Sequence, residues 1–523
     1  MNTKSCLLFS LIASLCNGAN ILFYNSARVG QSHMFFMGRL ADWLVEAGHN
    51  VTFYQQDLLE NSSNTGTKLA HTVVRQKIPL ERDDVGQSIY WLPFDEATFK
   101  FMKNYGYLQG VACESQLQDP ELAKRLKNEK YDFAVIEYFD FCSYAMLEKA
   151  GIKKYATTSA LIPSNSIPIA LGVPAGLGVI PAWLDILSET PTFYERLLAM
   201  YNHIRGLFRL SKAASGRQIQ AIKKYHDPHF NALHKIAGSS YIFVNIDEHL
   251  TFQQPISPKM IFLGSSDVKK QPEALSSDFK NIVDSAEQGV VVISLGSTVK
   301  SSEMPLPLKD ALVETVKSFP DVSFIWKYEI VDEVGANLTN LYKRKWIPQH
   351  ELFANPRVLA FVTHGGLNSL SETAEMGVPA ICLPLCNDQA QNCQALQAHG
   401  IAIMIGKNCD ARVLKQALEK VLNDESVRQK AKNMADLISH KPFSAKERFV
   451  RYIDHAIKFD VAEALDIKSR NHGLIRAHNL DYLLYFSVLL FAVLSVVYHS
   501  VKLTLRLFWR VLLSRLVTKT KIE

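Results

Sequence analysis

The chain has 523 residues, 48% of them hydrophobic, and a formal net charge of +6. A single hydrophobic core stops growing at about 250–300 residues, so more than one globular unit is expected. Lys502, Arg506, Arg510, Arg515, Lys519 and Lys521 carry most of the charge and leave the body near neutral, which argues against a nucleic-acid partner.

Residues 1–18 place Lys4 before the apolar run Cys6–Cys16, with small residues at Gly18 and Ala19, the pattern of a cleaved signal peptide. The sequons beginning at Asn50, Asn61 and Asn337 suit a secretory route and are candidate glycosylation sites. Beyond the leader, Cys113, Cys142, Cys382, Cys386, Cys393 and Cys409 are scattered and match no metal-binding spacing. Ordinary buried thiols are expected, although a secretory compartment permits one disulfide.

Asn20–Asn25 reads as a buried strand, Met34–Ala47 as a helix and Val51–Tyr54 as a second strand, giving a βαβ unit. Ser32 is placed to cap that helix, with His33 at its positive end. There an imidazolium is disfavoured, so His33 is expected to stay neutral and able to accept a proton. The plainer alternative is a solvated loop histidine. A further strand, Asp132–Ile136, ends in Glu137, with Asp140 close behind.

Leu161–Pro191 is apolar but broken by Pro163, Pro168, Pro174 and Pro181, so it suits the wall or lid of an apolar pocket. Phe193, Leu197, Leu198, Tyr201, Ile204, Leu207 and Phe208 then recur at helical spacing among Arg196, Arg205 and Arg209. A packed amphipathic helix is expected, and contact with a membrane surface is the sharper alternative.

Strands at Tyr241–Asn245 and Met260–Gly264 close a first domain, residues 19–264, and the polar stretch 265–288 suits a linker. A second domain, 289–440, opens with the strand Val290–Ser294, after which Gly296 and Ser297 can offer donors to a phosphate. Its centre is Trp346–Gln389. Here a strand (Val358–Thr363) meets the turn His364-Gly365-Gly366 and a helix entered through Asn368 and Ser369. Unpaired N–H groups at the positive end of that helix make an anion site. Trp346 offers an aromatic plane, Gln349 an amide edge and Glu372 an acceptor for a ribose diol. Asp388 and Gln389 follow the next strand, Val378–Pro384, where the hydroxyls of a sugar would lie. A Gly-Gly turn of any α/β protein is the bland alternative, but it does not account for the spaced flanking pieces.

The remainder is read as closing helices (441–480), a transmembrane helix (481–502, its apolar run Tyr482–Val501) and a cytosolic tail (503–523). Lys519 and Lys521, near the tail end, resemble a dilysine retrieval signal for the endoplasmic reticulum.

The W-x-P-Q, T-H-G-G-x-N, E-x-x-x-x-G-x-P and D-Q pieces, in register, resemble the donor signature of the membrane-anchored, animal-type UDP-glycosyltransferases, the glucuronosyltransferases among them. The resemblance implies the GT-B fold, an α/β arrangement of two facing Rossmann-like domains, the first binding a small lipophilic acceptor and the second a UDP-sugar. It makes Ser32-His33 similar to the catalytic Ser-His of the family, with His33 as base. Glu137 falls where the family holds an aspartate that orients the histidine, one methylene longer, and Asp140 is the substitute candidate. The donor residues implied are Ser297, Trp346, Gln349, His364, Gly366, Asn368, Ser369, Glu372, Asp388 and Gln389. The expected reaction is inverting transfer of a glucosyl or glucuronosyl group, as in detoxification, by a lumenal enzyme of the endoplasmic reticulum membrane. No Asp-x-Asp occurs, so no metal or other cofactor is expected beyond the UDP-sugar co-substrate. Homo-oligomerisation is left open. The alternatives are a noncatalytic lumenal carrier of apolar molecules and a lipid or sterol glycosyltransferase with an endogenous substrate.

Overall fold

The computed structural model describes residues 18–519, apart from 26–30, 58–64, 78–86, 163–165, 265–272, 473, 478 and several positions between 175 and 189. The leader, Asn61 and Lys521 lie outside the described residues. Two units divide at Leu465.

The larger unit contains two parallel sheets. The first comprises β1 (Asn20–Asn25), β2 (Asn50–Asp57), β3 (Thr72–Lys77), β4 (Phe133–Glu137), β5 (Tyr155–Ser159), β6 (Ile242–Val244) and β7 (Met260–Phe262), in the order β3-β2-β1-β4-β5-β6-β7. The second comprises β8 (Gly289–Ser294), β9 (Val322–Lys327), β10 (Leu341–Arg344), β11 (Val358–Thr363), β12 (Ala380–Cys382) and β13 (Ala402–Met404), in the order β10-β9-β8-β11-β12-β13. Both orders reverse direction beside their first strand, at β1/β4 and β8/β11, and such switch points open a crevice at the carboxyl ends of the strands. The runs that were legible as strands are those buried on both faces, such as β1 and β8.

The first core gathers Ile21, Phe23, Phe36, Leu40, Phe53 and Val135, and it also takes in Phe449, Ile453 and Ala456 from the helix Ala445–Lys458. Apolar residues four and then three apart put those three on one helix face. Each large side chain so buried contributes about 1.5–3 kcal/mol, enough to hold the returning segment on the first sheet. Conversely, Tyr90 and Ala97, which precede β4, join the second core with Val291, Trp326, Leu385 and Cys386. The two sheets are thus laced together by exchanged segments.

Several expectations are corrected here. The first helix runs Gln31–Glu46, so Ser32 is a first-turn residue and not its cap. Cys113 and Cys142 form a disulfide that joins the helices Phe94–Leu117 and Phe141–Ala150, whereas Cys382, Cys386, Cys393 and Cys409 are free thiols. Residues far apart in sequence gave no spacing from which that bridge could be read. Within the stretch read as a linker, Ser277–Ser285 is a helix that buries Phe279, Ile282 and Val283 against Val290 and Val292 of β8. The helix Phe193–Tyr225 carries a Thr192/Glu195 capping box, but its early apolar residues are not packed. Phe193, Tyr201 and Phe208 are 74, 60 and 77% exposed, whereas the buried residues are Ala199 and His203 in the early half and Ser215, Gln218, Ala221 and Ile222 in the later half.

The smaller unit holds the helix Leu480–Lys519, long and apolar enough over Leu480–Ser514 to cross a membrane. It does not stop where the span was expected to end. No glycine or proline lies between 480 and 519 to break it, so Lys502, Arg506 and Arg510 ride on the same continuous helix.

Candidate active site

A cavity of about 250 Å³ lies at the carboxyl ends of both sheets, with walls from each. His33 and Ser32, in the first turn after β1, line one side. Glu137, the last residue of β4, is fully buried, and its Oε1 lies 3.3 Å from His33 Nδ1. Two backbone N–H groups fix that carboxylate: Phe139 donates to Oε2 (3.0 Å) and Ala160 to Oε1 (3.4 Å). Asp140 is turned to another task, accepting from the Ser143 N–H (3.2 Å) as a helix cap and from Gln56 (3.3 Å). Burial pushes the Asp140 carboxyl up to about 7. The longer glutamate therefore reaches the imidazole, and Asp140 does not replace it.

The protonation preference of His33 runs opposite to the expectation from its place at a helix end. Burial pulls its pKa down, but the charge and hydrogen bond of Glu137, helped by the Asp388 carboxylate, outweigh that and raise it. A carboxylate in hydrogen-bond range acts more strongly than a helix terminus, whose effect is modest.

Across the cavity, the helix Leu367–Glu375 begins at Gly366 with no side-chain cap, and Leu367, Asn368 and Ser369 of its first turn line the space. Unpaired N–H groups at an uncapped helix start are able to receive an anion. The turn that delivers them requires Gly365, with φ +87° and room for no Cβ: one built there would lie 2.3 Å from Cys393 Sγ. After β8, Gly296 holds φ +81° and lets the imidazole of His364 pack where a side chain would stand, 2.7 Å from a built Cβ. Burial and the nearby Lys327 charge push His364 down to about 4, so it is neutral at physiological pH. Ser297 lines the cavity beside it.

The other predicted donor residues divide. Gln349 donates to Glu372 (2.7 Å) and to Ser369 Oγ (3.2 Å), so these three are brought together. Trp346 is 68% exposed and does not line the cavity. Asp388 and Gln389 do line it but are buried, not set at a rim. Gln389 turns its carboxamide oxygen inward to the Leu385 and Cys386 N–H groups (2.8 and 3.1 Å). Asp388 accepts from Asn392 (2.7 Å), and burial raises its carboxyl pKa.

The two walls are joined directly. Asn245 donates to Asn368 (3.0 Å), the Asn387 N–H to Thr98 (2.9 Å), and Lys407 to the carbonyls of Tyr90 and Leu385 (2.8 and 2.9 Å). Asp247, Glu248 and His249 have the spacing of metal ligands, but Lys441 already lies between the two carboxylates at 2.8 and 2.5 Å.

The model of the UDP-glucoronosyl and UDP-glucosyl transferase family matches residues 26–517. The chain belongs to that family. Among similar proteins, the Caenorhabditis elegans sequence named for a UDP-glucuronosyltransferase, ugt-48, is 27% identical over 94% of this chain and 96% of its own. UDP-glucuronosyltransferase 3A1 of Bos taurus is 26% identical over 88% of this chain and 89% of its own. In fold, a UDP-glucosyltransferase from Polygonum tinctorium superposes with a TM-score of 0.58 over 84% of this chain and 99% of its own, at 15% identity. The transferase thus has the GT-B arrangement expected from its motifs.

Sequence reasoning missed much of the apolar wall. Phe101, Met102 and Tyr105 from the helix Phe94–Leu117, together with Tyr90 and Phe139, line the cavity, whereas the proline-broken stretch contributes Leu161 among its described residues. No residue pattern in that helix separates ligand wall from ordinary core; only its place after β3 brings it to the crevice.

Proposed function

We propose that this transferase moves a hexosyl group, with inversion, from a UDP-sugar to a hydroxyl of a small lipophilic acceptor, as in detoxification. The observation that carries this reading is that His33, backed by the buried Glu137, and the uncapped helix start at Leu367–Ser369 face one cavity. Glu137 holds Nδ1–H, which leaves Nε2 to take the proton of the acceptor hydroxyl as that oxygen attacks the anomeric carbon. The imidazolium so formed is stabilised by Glu137. Charge growing on the departing UDP is met by the helix N-terminus, with Ser297 and Asn368 as further donors, so no metal is needed in this scheme. Phe101, Met102, Tyr105 and Phe139 would hold the apolar acceptor.

A base must be unprotonated to work, so the rate should fall as pH drops through the pKa of His33. In the wild type that fall should lie above the ordinary histidine value of 6.5. Glu137→Gln should lower turnover by about 100-fold and move the fall to lower pH, because burial then acts on the imidazole without its opposing charge. A pH–rate profile with an unmoved acid limb would contradict the pairing.

We also place the body in the lumen of the endoplasmic reticulum, anchored by the helix Leu480–Lys519. The disulfide and the basic residues late in that helix support this. Asn50 and Asn337 are exposed. Endoglycosidase treatment of the chain made in a secretory host should shift its mobility, and an unshifted band would argue against a lumenal body.

A further inference from the structure

We infer that Gln218, on the helix Phe193–Tyr225, is a positioning residue of the transfer reaction, holding the turn after β4 so that Glu137 meets His33. This rests on the transferase reading above and adds to it a residue that does not line the cavity. Gln218 is fully buried, and its carboxamide spans the turn. Its Nε2 donates to the Phe139 carbonyl (3.2 Å), and its Oε1 accepts from the Phe141 N–H (3.0 Å). A backbone carbonyl only accepts and a backbone N–H only donates, so one orientation of the amide makes both bonds.

The residue between those two bonds and β4 supports the catalytic pair. The Phe139 N–H donates to Glu137 Oε2 (3.0 Å), while the Phe139 ring stands edge-on to the His33 imidazole with centroids 6.0 Å apart. Holding Phe139 from behind therefore steadies the carboxylate and the imidazole together. The helix that carries Gln218 is itself closely seated. A Cβ built at Gly106 would lie 2.0 Å from the Ala213 carbonyl oxygen, and one at Gly110 would lie 2.2 Å from the Arg217 side chain, so Phe94–Leu117 packs hard against it. The disulfide Cys113–Cys142 then fastens Phe94–Leu117 to the helix that follows the turn. An apolar residue in place of Gln218 would leave the buried Phe141 N–H and the Phe139 carbonyl without these bonds, and the turn free to shift. Among the described residues, the charged groups acting on His33 are Glu137 and, from the opposite wall, Asp388; Asp140 shares the turn with Glu137, and His364 across the cavity is neutral. Gln218 bears on the turn of Glu137 and Asp140, not on Asp388.

The test uses the full-length transferase in detergent and compares Gln218→Met, similar in length but without either bond, with Ser215→Ala in the preceding turn, whose hydroxyl bonds back to the Ser211 carbonyl. Gln218→Met should lower kcat by about 10–100-fold and leave UDP affinity within about twofold of the wild type. Its fall in rate at low pH should move to lower pH, because a displaced Glu137 raises the pKa of His33 less. Ser215→Ala should change neither. Gln218→Asn, one methylene shorter, should move the profile in the same direction and is read instead where Gln218→Met does not fold. A lowered melting temperature with kcat and the acid limb unmoved would overturn the inference, making Gln218 ordinary core, and leave the transferase reading standing. That reading fails separately, through an unmoved acid limb in Glu137→Gln.

Discussion

His33→Ala should lower transfer by about 10²–10⁴-fold while UDP affinity stays within about twofold of the wild type. The separation follows from the architecture. His33 belongs to the first turn after β1, and the anion site belongs to the turn after β11, so removing the imidazole takes away the base and leaves the helix N-terminus untouched. Isothermal titration with UDP and turnover on one preparation would report both quantities. Wild-type turnover by the variant would remove His33 from the reaction, and a large loss of UDP affinity would show that the two walls do not act independently.

Gly365→Val should have the reverse signature, weakening both UDP binding and the fold. A β-branched residue at φ +87° costs about 1–3 kcal/mol of backbone strain. Its Cβ would also meet Cys393 Sγ at 2.3 Å, in a packed site where overfilling costs about 1–3 kcal/mol more. Since the turn aims the N–H groups of Leu367–Ser369, UDP affinity should fall by at least about tenfold. Chemical denaturation and UDP titration are the measurements, and wild-type values in both would mean that the turn does not need glycine.

The donor half was legible in the sequence because its chemistry is local. One strand, one turn and one helix start bring His364, Gly365, Gly366, Asn368 and Ser369 together within a few residues, and Gln349 reaches Glu372 and Ser369 from a short neighbouring helix. The acceptor half is assembled from distant segments. Glu137 meets His33 only because β4 lies beside β1, with Tyr24 opposite Ile136 in register, and the reach of the longer side chain could be settled only by that geometry. Phe101 and Tyr105 become ligand wall because their helix follows an edge strand, β3, whose alternating, partly exposed residues gave little strand signal. Strands β5 and β10 were missed for related reasons: Tyr155–Ser159 is rich in hydroxyls, and Leu341–Arg344 is half-buried and basic. Trp346 is a different case, a residue in register with the donor motif whose side chain stands mostly in solvent.

The account turns on a single displacement in which a His33-activated hydroxyl attacks from the face opposite UDP. The anomeric configuration of the product tests it most directly. Conjugate formed from an α-linked UDP-hexose, in buffer containing EDTA, should show only the β anomer by proton NMR. An α-linked product would contradict the displacement, and formation that stops in EDTA and returns with a divalent ion would contradict leaving-group stabilisation by the helix N-terminus without a metal.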